Sequence, residues 1–490
     1  MVQLVIAEKP SVAASLARVL GVSKKKDGFW EGENKLISWC VGHLVELAGA
    51  DSYDPRYSKW EREDLPILPA VWQYTIAPDT KKQFTVLQKL MHREDVECIV
   101  NACDAGREGE LIFRLVYGQS GCNKPVKRLW ISSIEDEAIR KGWDHLLAGE
   151  HYDNLYQAAL CRSKADWLVG INATRLFSCL YHKILNIGRV MTPTLGMIVQ
   201  REAEIASFRK EPFYAVTITF DGITAESERF PSKTDAQRLR EKVLGKTAIV
   251  QSVIHKERKE KPPKLFDLTL LQREANRLLG YTAQQTLDYA QALYEKKLLT
   301  YPRTDSNFLT EEMESGLPAL LQSLSGVLSF ADMMDSNNLS AVIDSSKVSD
   351  HHAILPTKSA ADTDLQALPT GERKILILVI ARLFCAVSSP EQIKETEYTL
   401  LCESASFHAK GRVILQEGWK KIWSCCIQSL RKKPEEKEST NPIPTIAEGQ
   451  CWIGVQADIK EGESSPPKHF TDVIFCERKE WIGIEERSSA

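Results

Sequence analysis

The sequence predicts a multidomain chain of α/β, then α, then β character, with an α/β domain first and helical and β-rich parts after it. Three observations carry this. Two units of strand, loop and helix occupy the first 117 residues. Helical spacing takes over from about 151. Strict apolar alternation then appears within 211–265 and again near 397–419. A chain of 490 residues is also too long for one hydrophobic core and divides into three or four domains.

In the first unit, Leu4 to Ala7 reads as a short buried strand. Glu8-Lys9-Pro10-Ser11 then leads into Val12, Leu16, Val19 and Leu20 at helical spacing. Pro10 and Ser11 suit a helix start. Glu8 therefore stands at the carboxyl end of a strand, where open α/β sheets hold their ligands. Taken singly, it reads as well as an acid favoured by a helix dipole. The second unit repeats the pattern. Val96 to Ala102 is strand-like, Asp104-Ala105-Gly106-Arg107-Glu108-Gly109-Glu110 is a loop carrying three acids, and Leu111, Ile112, Leu115 and Val116 mark a helix. Glu8, Asp104 and Glu108 are thus presented by two strand ends, as hard oxygen donors of the kind Mg²⁺ takes. Arg128 to Ser133 reads as a further strand, and Lys24 to Lys26 as a solvated basic run.

From 151 to 210 a mixed polar and apolar helical stretch carries Arg162, Trp167 and Arg175. Gly188-Arg189-Val190-Met191-Thr192-Pro193 follows, with charge and hydroxyl suited to phosphates. Individually these arginines read as surface ion pairs. Residues 211–265 alternate as strands and end in a charged linker at 256–264. Residues 266–390 are helical again, and a capping box at Thr282 and Gln285 leads toward Leu299-Thr300-Tyr301-Pro302-Arg303. Pro302 pushes Tyr301 into an extended backbone, so Tyr301 and Arg303 share a face. Two adjacent histidines, His351 and His352, precede Pro356. The stretch 429–449 reads as a flexible excursion.

Net charge is −3, so any phosphate-binding surface is local. Twelve cysteines show no C-x-x-C spacing, which argues against a zinc ribbon and for reduced thiols. No signal peptide or membrane-spanning run is read, and no P-loop, which disfavours an ATP-driven motor.

The ordered set Ala7-Glu8-Lys9-Pro10-Ser11, Asp104 to Glu110, Gly188-Arg189-Val190 with Thr192-Pro193-Thr194-Leu195, Leu299 to Ser306, and His351 to Thr357 resembles the type IA DNA topoisomerases, most closely their bacterial topoisomerase III branch. The resemblance spans nearly the whole chain. It implies a Toprim domain at 1–150, a helical DNA-binding segment at 151–210, and a β-rich arch from 211–265 and 391–460 enclosing a DNA-sized hole. A helical domain at 266–390 would carry the nucleophilic Tyr301, and 461–490 would be the start of a truncated C-terminal helical region. It implies catalytic roles for Tyr301, Arg303, Lys9, Glu8 and His351, and Mg²⁺ held by Glu8, Asp104 and Glu108. Trp167, Arg162, Arg175, Gly188, Arg189, Val190, Met191 and Thr192 would contact single-stranded or underwound DNA. The implied protein is a cytoplasmic bacterial monomer with a helicase partner and no need of ATP. Two departures stand inside the motifs: Gly106 where many members have aspartate, and Met191 where glutamine is usual. Two alternatives remain: a truncated remnant that binds DNA without turnover, and a tyrosine recombinase, which the acidic cluster argues against.

Overall fold

The computed structural model describes residues 2–220, 222–335, 338–348, 351–431 and 446–471. The N-terminal domain is built on a seven-stranded sheet whose four central strands are parallel. In spatial order these are Lys35–Trp39, Val2–Ala7, Val96–Ala102 and Val126–Arg128. The two innermost, Val2–Ala7 and Val96–Ala102, are apolar over most of their length because helices cover both faces, as buried parallel strands require. Pro10 opens the helix Pro10–Val19 at its first turn, and Arg107–Ser120 ends on Gly121 in the left-handed region. The strand expected at Arg128 to Ser133 stops at Arg128, whose guanidinium turns into the protein interior. The basic run Lys24–Lys26 is exposed and forms an edge strand.

A helix of 29 residues, Asp153–Tyr181, packs on Arg107–Ser120 and is followed by Met191–Ser207. The second sheet is antiparallel with seven strands, in the order Cys451–Trp452, Ala248–Glu260, Glu391–Cys402, Ala405–Gln416, Ile223–Glu226, Pro212–Phe220 and Gln456–Glu463. It draws on two stretches far apart in the chain, and Trp452 and Phe407 fill its core. The charged run at 256–264 is not a linker. Its first half continues the strand Ala248–Glu260, because cross-strand pairs such as Lys256 with Glu397 satisfy the charges on the sheet surface.

Between the two parts of this sheet lies a helical domain. Thr370–Val387 is its central helix, buried on nearly every side, and Leu268–Leu279 and Ala283–Glu295 pack around it. The capping box at Thr282 and Gln285 is formed. Trp419–Leu430, which alternation near 397–419 placed with the β-rich return, is a helix. Its Trp419, Ile422, Trp423, Cys426 and Leu430 repeat at helical spacing and join the core of this domain. Most of the expected excursion at 429–449 (432–445) and most of 461–490 (472–490) lie outside the described residues. Among the described residues every cysteine is a free thiol, and no helix is long and apolar enough to cross a membrane.

Candidate active site

Ala7 pairs in register with Trp39 on one side and Ala102 on the other. Glu8 and Asp104 therefore leave neighbouring parallel strands at the same edge. Both are buried, 8% and 7% exposed, and the Glu8 carboxylate accepts the Asp104 backbone N–H. Burial raises the Glu8 carboxyl to about 7. Negative Asp104 adds to the rise, while Lys9 and Arg303 oppose it. Burial likewise pushes Asp104 up against the pull of Lys9, Arg303 and Arg128. One oxygen of Asp104, Oδ2, is buried with no hydrogen-bond partner. An orphaned carboxylate oxygen beside a second acid is a fit for a hard cation that keeps several waters, such as Mg²⁺.

The loop that carries Asp104 is held from beneath by Arg128, which is 1% exposed. Its guanidinium donates to the carbonyl oxygens of Asn101, Cys103 and Leu129 at 3.1, 2.6 and 3.0 Å and to that of Asp104 at 2.8 Å. Its Nε lies 3.2 Å from buried Glu110. Gly109 lets the first turn of the helix close on this loop, because a Cβ there would overlap the Asp104 carbonyl oxygen. By contrast, a Cβ on Gly106 meets nothing within 4 Å, so the missing acid at that position is not excluded by space.

Tyr301 reaches the acids from the helical domain. It is 4% exposed, and its N–H donates to the Ser132 carbonyl at 3.1 Å. Its ring centroid lies 4.6 Å from that of His351 and 5.3 Å from that of Tyr294. The phenol is pushed well above its ordinary value, first by burial and then by Asp104. Arg303, hydrogen-bonded to the hydroxyl, works in the opposite direction. Arg303 keeps a buried Nε without a partner. His351 is buried, and burial pulls it down to about 4, so it is neutral near pH 7. Its Nε2 donates to the Ala105 carbonyl, its Nδ1 accepts from the Ser132 hydroxyl at 3.3 Å, and its ring stacks on Trp130 at 6.4 Å. Lys9 contacts Glu295 Oε1 at 3.1 Å, an oxygen that also accepts from Gln291.

Glu108, the third expected metal ligand, is paired with a histidine in this structure. It stands one step into the helix Arg107–Ser120, and His43 Nε2 lies 3.3 Å from its carboxylate. That hydrogen bond is the main reason His43 is raised. Among the described residues no group of three His, Cys, Asp or Glu side chains is placed to hold a metal ion.

The expected DNA-contacting residues lie along the two helices after the first domain. The Trp167 indole donates to the Ala48 carbonyl at 2.9 Å and meets Tyr53 and Trp72 edge-on. The indole N–H is thus committed to the protein. Arg162 and Arg189 both face Asp166, at 3.9 and 2.6 Å. Arg175 is buried beneath Trp60 at 5.4 Å. Gly188 and Thr192 bond each other through backbone and hydroxyl, with Val190 half-buried between them and Met191 exposed where the next helix begins. Sequence reasoning missed Arg128, Glu110, Gly109, Ser132 and Glu295. Only the Glu110–Arg114 spacing of four gave a local signal.

Residues 150–477 match the family model described as DNA topoisomerase, and residues 3–134 match the Toprim domain. The chain is 37% identical over 485 residues to DNA topoisomerase 3 of Bacillus subtilis (strain 168), covering 96% of this chain and 66% of that protein. It is 38% identical over 487 residues to DNA topoisomerase 3 of Bacillus licheniformis, covering 96% and 66%. It thus spans about two thirds of the length of these curated relatives. Full-length topoisomerase I from Thermotoga maritima superposes with a TM-score of 0.72 at 23% identity, over 98% of this chain and 76% of that one, a likeness of fold. With more than half its length matching one family model and its first domain matching another, the chain belongs to the type IA DNA topoisomerases.

Proposed function

We propose that this chain cuts one strand of single-stranded or underwound DNA by attack of Tyr301, passes another strand through the gap and reseals it without ATP. The observation that carries the reading is convergence. Tyr301, Arg303 and His351 come from one domain and Glu8, Lys9 and Asp104 from another, yet His351 and Ala105, 246 positions apart, share a hydrogen bond.

In this reading the phenol oxygen attacks a backbone phosphorus, a 5′-phosphotyrosine bond forms, and the 3′ oxygen leaves. The phosphotyrosine conserves the energy of the broken bond, so resealing needs no ATP. A phenol raised by burial needs help at neutral pH. Arg303 stabilises the developing phenolate and the phosphoryl charge. Glu8, raised to about 7, takes or returns a proton near neutrality. Lys9, on leaving Glu295, meets the phosphate or protonates the departing 3′ oxygen. Neutral His351 offers a hydrogen bond to phosphate once it leaves the Ala105 carbonyl. Glu8 and Asp104 would hold Mg²⁺, which supplies positive charge to keep the cut end in place for religation. Arg162, Arg175, Arg189 and Thr192 would track the strand, with Trp167 held in place by its indole N–H beside them. The reading extends to a cytoplasmic monomer working beside a helicase that supplies unpaired strand.

A single-stranded oligonucleotide labelled at its 3′ end tests this. With Mg²⁺, label should transfer to the protein, and Tyr301→Phe should abolish the transfer. Transfer from a 5′-labelled strand would indicate recombinase polarity instead, and binding without any adduct would indicate a DNA-binding remnant.

A further inference from the structure

Tyr301 is enclosed by His351, Tyr294 and the acidic loop, so DNA reaches it only when the helical domain and the N-terminal domain part. The contacts across this interface fall into two sets. Tyr301 with Ser132, His351 with Ala105, and Lys9 with Glu295 belong to the catalytic cluster. Lys297 with Asp136, and Glu135 with the Ser359 backbone, do not; among the described residues neither Lys297 nor Asp136 contacts Tyr301, Arg303, Glu8 or Asp104 by a hydrogen bond or ion pair.

We propose that Asp136 and Lys297 are a positioning pair that holds the tyrosine-bearing domain closed and sets how often the interface opens. The carboxylate is oriented before the partner arrives. Arg18, on the helix Pro10–Val19 of the same domain, grips it with two bonds of 2.7 and 2.6 Å. Oδ1 of Asp136 then receives Lys297 Nζ from the other domain at 2.7 Å. The two cations hold Asp136 ionised well below the usual carboxylate range.

The lysine's own backbone ties it to the nucleophile. Lys297 adopts a positive φ of 64° just beyond the helix Ala283–Glu295, a conformation costly for a residue with a Cβ. Its N–H donates to the Tyr294 carbonyl at 2.8 Å, and its own carbonyl accepts the Thr357 hydroxyl. Four residues later comes Tyr301. A turn fixed this way passes a pull at Lys297 to the tyrosine. The partly exposed pair is strong enough to bias the interface and weak enough to release it. The functional consequence rests on the cleavage reading above, while the opening itself does not.

Hydrogen exchange of the full chain without DNA tests the pair. The Tyr301 amide donates across the interface to Ser132, whereas the Thr300 amide donates to Leu355 within its own domain at 2.9 Å. Asp136→Asn and Lys297→Met should each speed Tyr301 exchange about three- to fivefold. Thr300 should stay unchanged, and the double variant should add nothing further. Arg18→Gln, which loosens the carboxylate but leaves its charge, should give a smaller rise. Unchanged Tyr301 exchange in both single variants, additive effects in the double, or a parallel rise at Thr300 would overturn the proposal. The oligonucleotide assay, run beside this, separates the two ideas. A rise at Tyr301 with no adduct in wild type leaves the pair standing and removes the cleavage reading.

Discussion

Replacing Glu8 with glutamine should stabilise the metal-free protein at alkaline pH. The rise of this carboxyl from an ordinary 4.5 to about 7 means that the folded chain keeps the proton to higher pH than the unfolded chain does. The contribution of Glu8 is therefore fully present below about pH 4.5, declines as pH rises toward 7, and is level above that. At about 1.4 kcal/mol for each tenfold change in proton affinity, the loss is about 3 kcal/mol, and 8% exposure leaves little solvent to screen it. Glutamine keeps the shape and never ionises. Thermal unfolding in chelator at pH 5 and pH 8 measures the difference. Glu8→Gln should exceed wild type by about 1–3 kcal/mol at pH 8 and by less than about 1 kcal/mol at pH 5. Adding Mg²⁺ should close the gap by stabilising wild type, because the cation takes the ionised carboxylate. A variant less stable than wild type at pH 8 in chelator would refute the reasoning. It would mean that the Glu8 carboxylate is well satisfied in the folded state.

Arg128→Met should cost about 3–5 kcal/mol, because four buried carbonyl oxygens would lose their donor and Glu110 would keep only Arg114 as its cation; chemical denaturation followed by the N-terminal domain's tryptophans checks this. Gly109→Ala should destabilise the same domain by about 1–3 kcal/mol, since the Asp104 carbonyl must shift, and Mg²⁺-dependent stabilisation should weaken with it. Gly106→Asp should tighten Mg²⁺ binding about tenfold by adding a carboxylate where space is open, read from the Mg²⁺ concentration that half-stabilises the fold. Unchanged affinity would place position 106 outside the metal's reach.

Much of the site was legible because local chemistry marked it. Glu8 and Asp104 each end a strand that its apolar run announces, and Pro302 fixes how Tyr301 meets Arg303. What the sequence hid was set by packing between distant segments. Arg128 looks like any strand residue until the fold wraps four carbonyls around it. Glu108 shares its motif with Asp104, but nothing in the sequence showed that the helix starts at Arg107 or that His43 meets Glu108 from another loop. Trp167 carries the right chemistry for stacking, and its packing against Tyr53 and Trp72 was not legible in the sequence. At the level of fold, changes of period marked the two β-rich stretches and the helical stretch between them, while their union in one sheet was implied only by the family resemblance. Trp419–Leu430 was misjudged because alternation just before it gave no warning of the switch to helical spacing.

The split sheet also orders events during synthesis. Pro212–Phe220 pairs from Pro212 to Thr219 with Gln456–Glu463, so that Thr217 bonds Asp458, 241 positions later. One edge of the sheet therefore stays unpaired until the entire helical insert has been made. Loop closure on that scale is slow, and an open strand edge is a template for wrong partners. The insert has a large core of its own and can fold while the edge waits. As the chain emerges from the ribosome, the tyrosine domain would be built before the frame that carries it is complete.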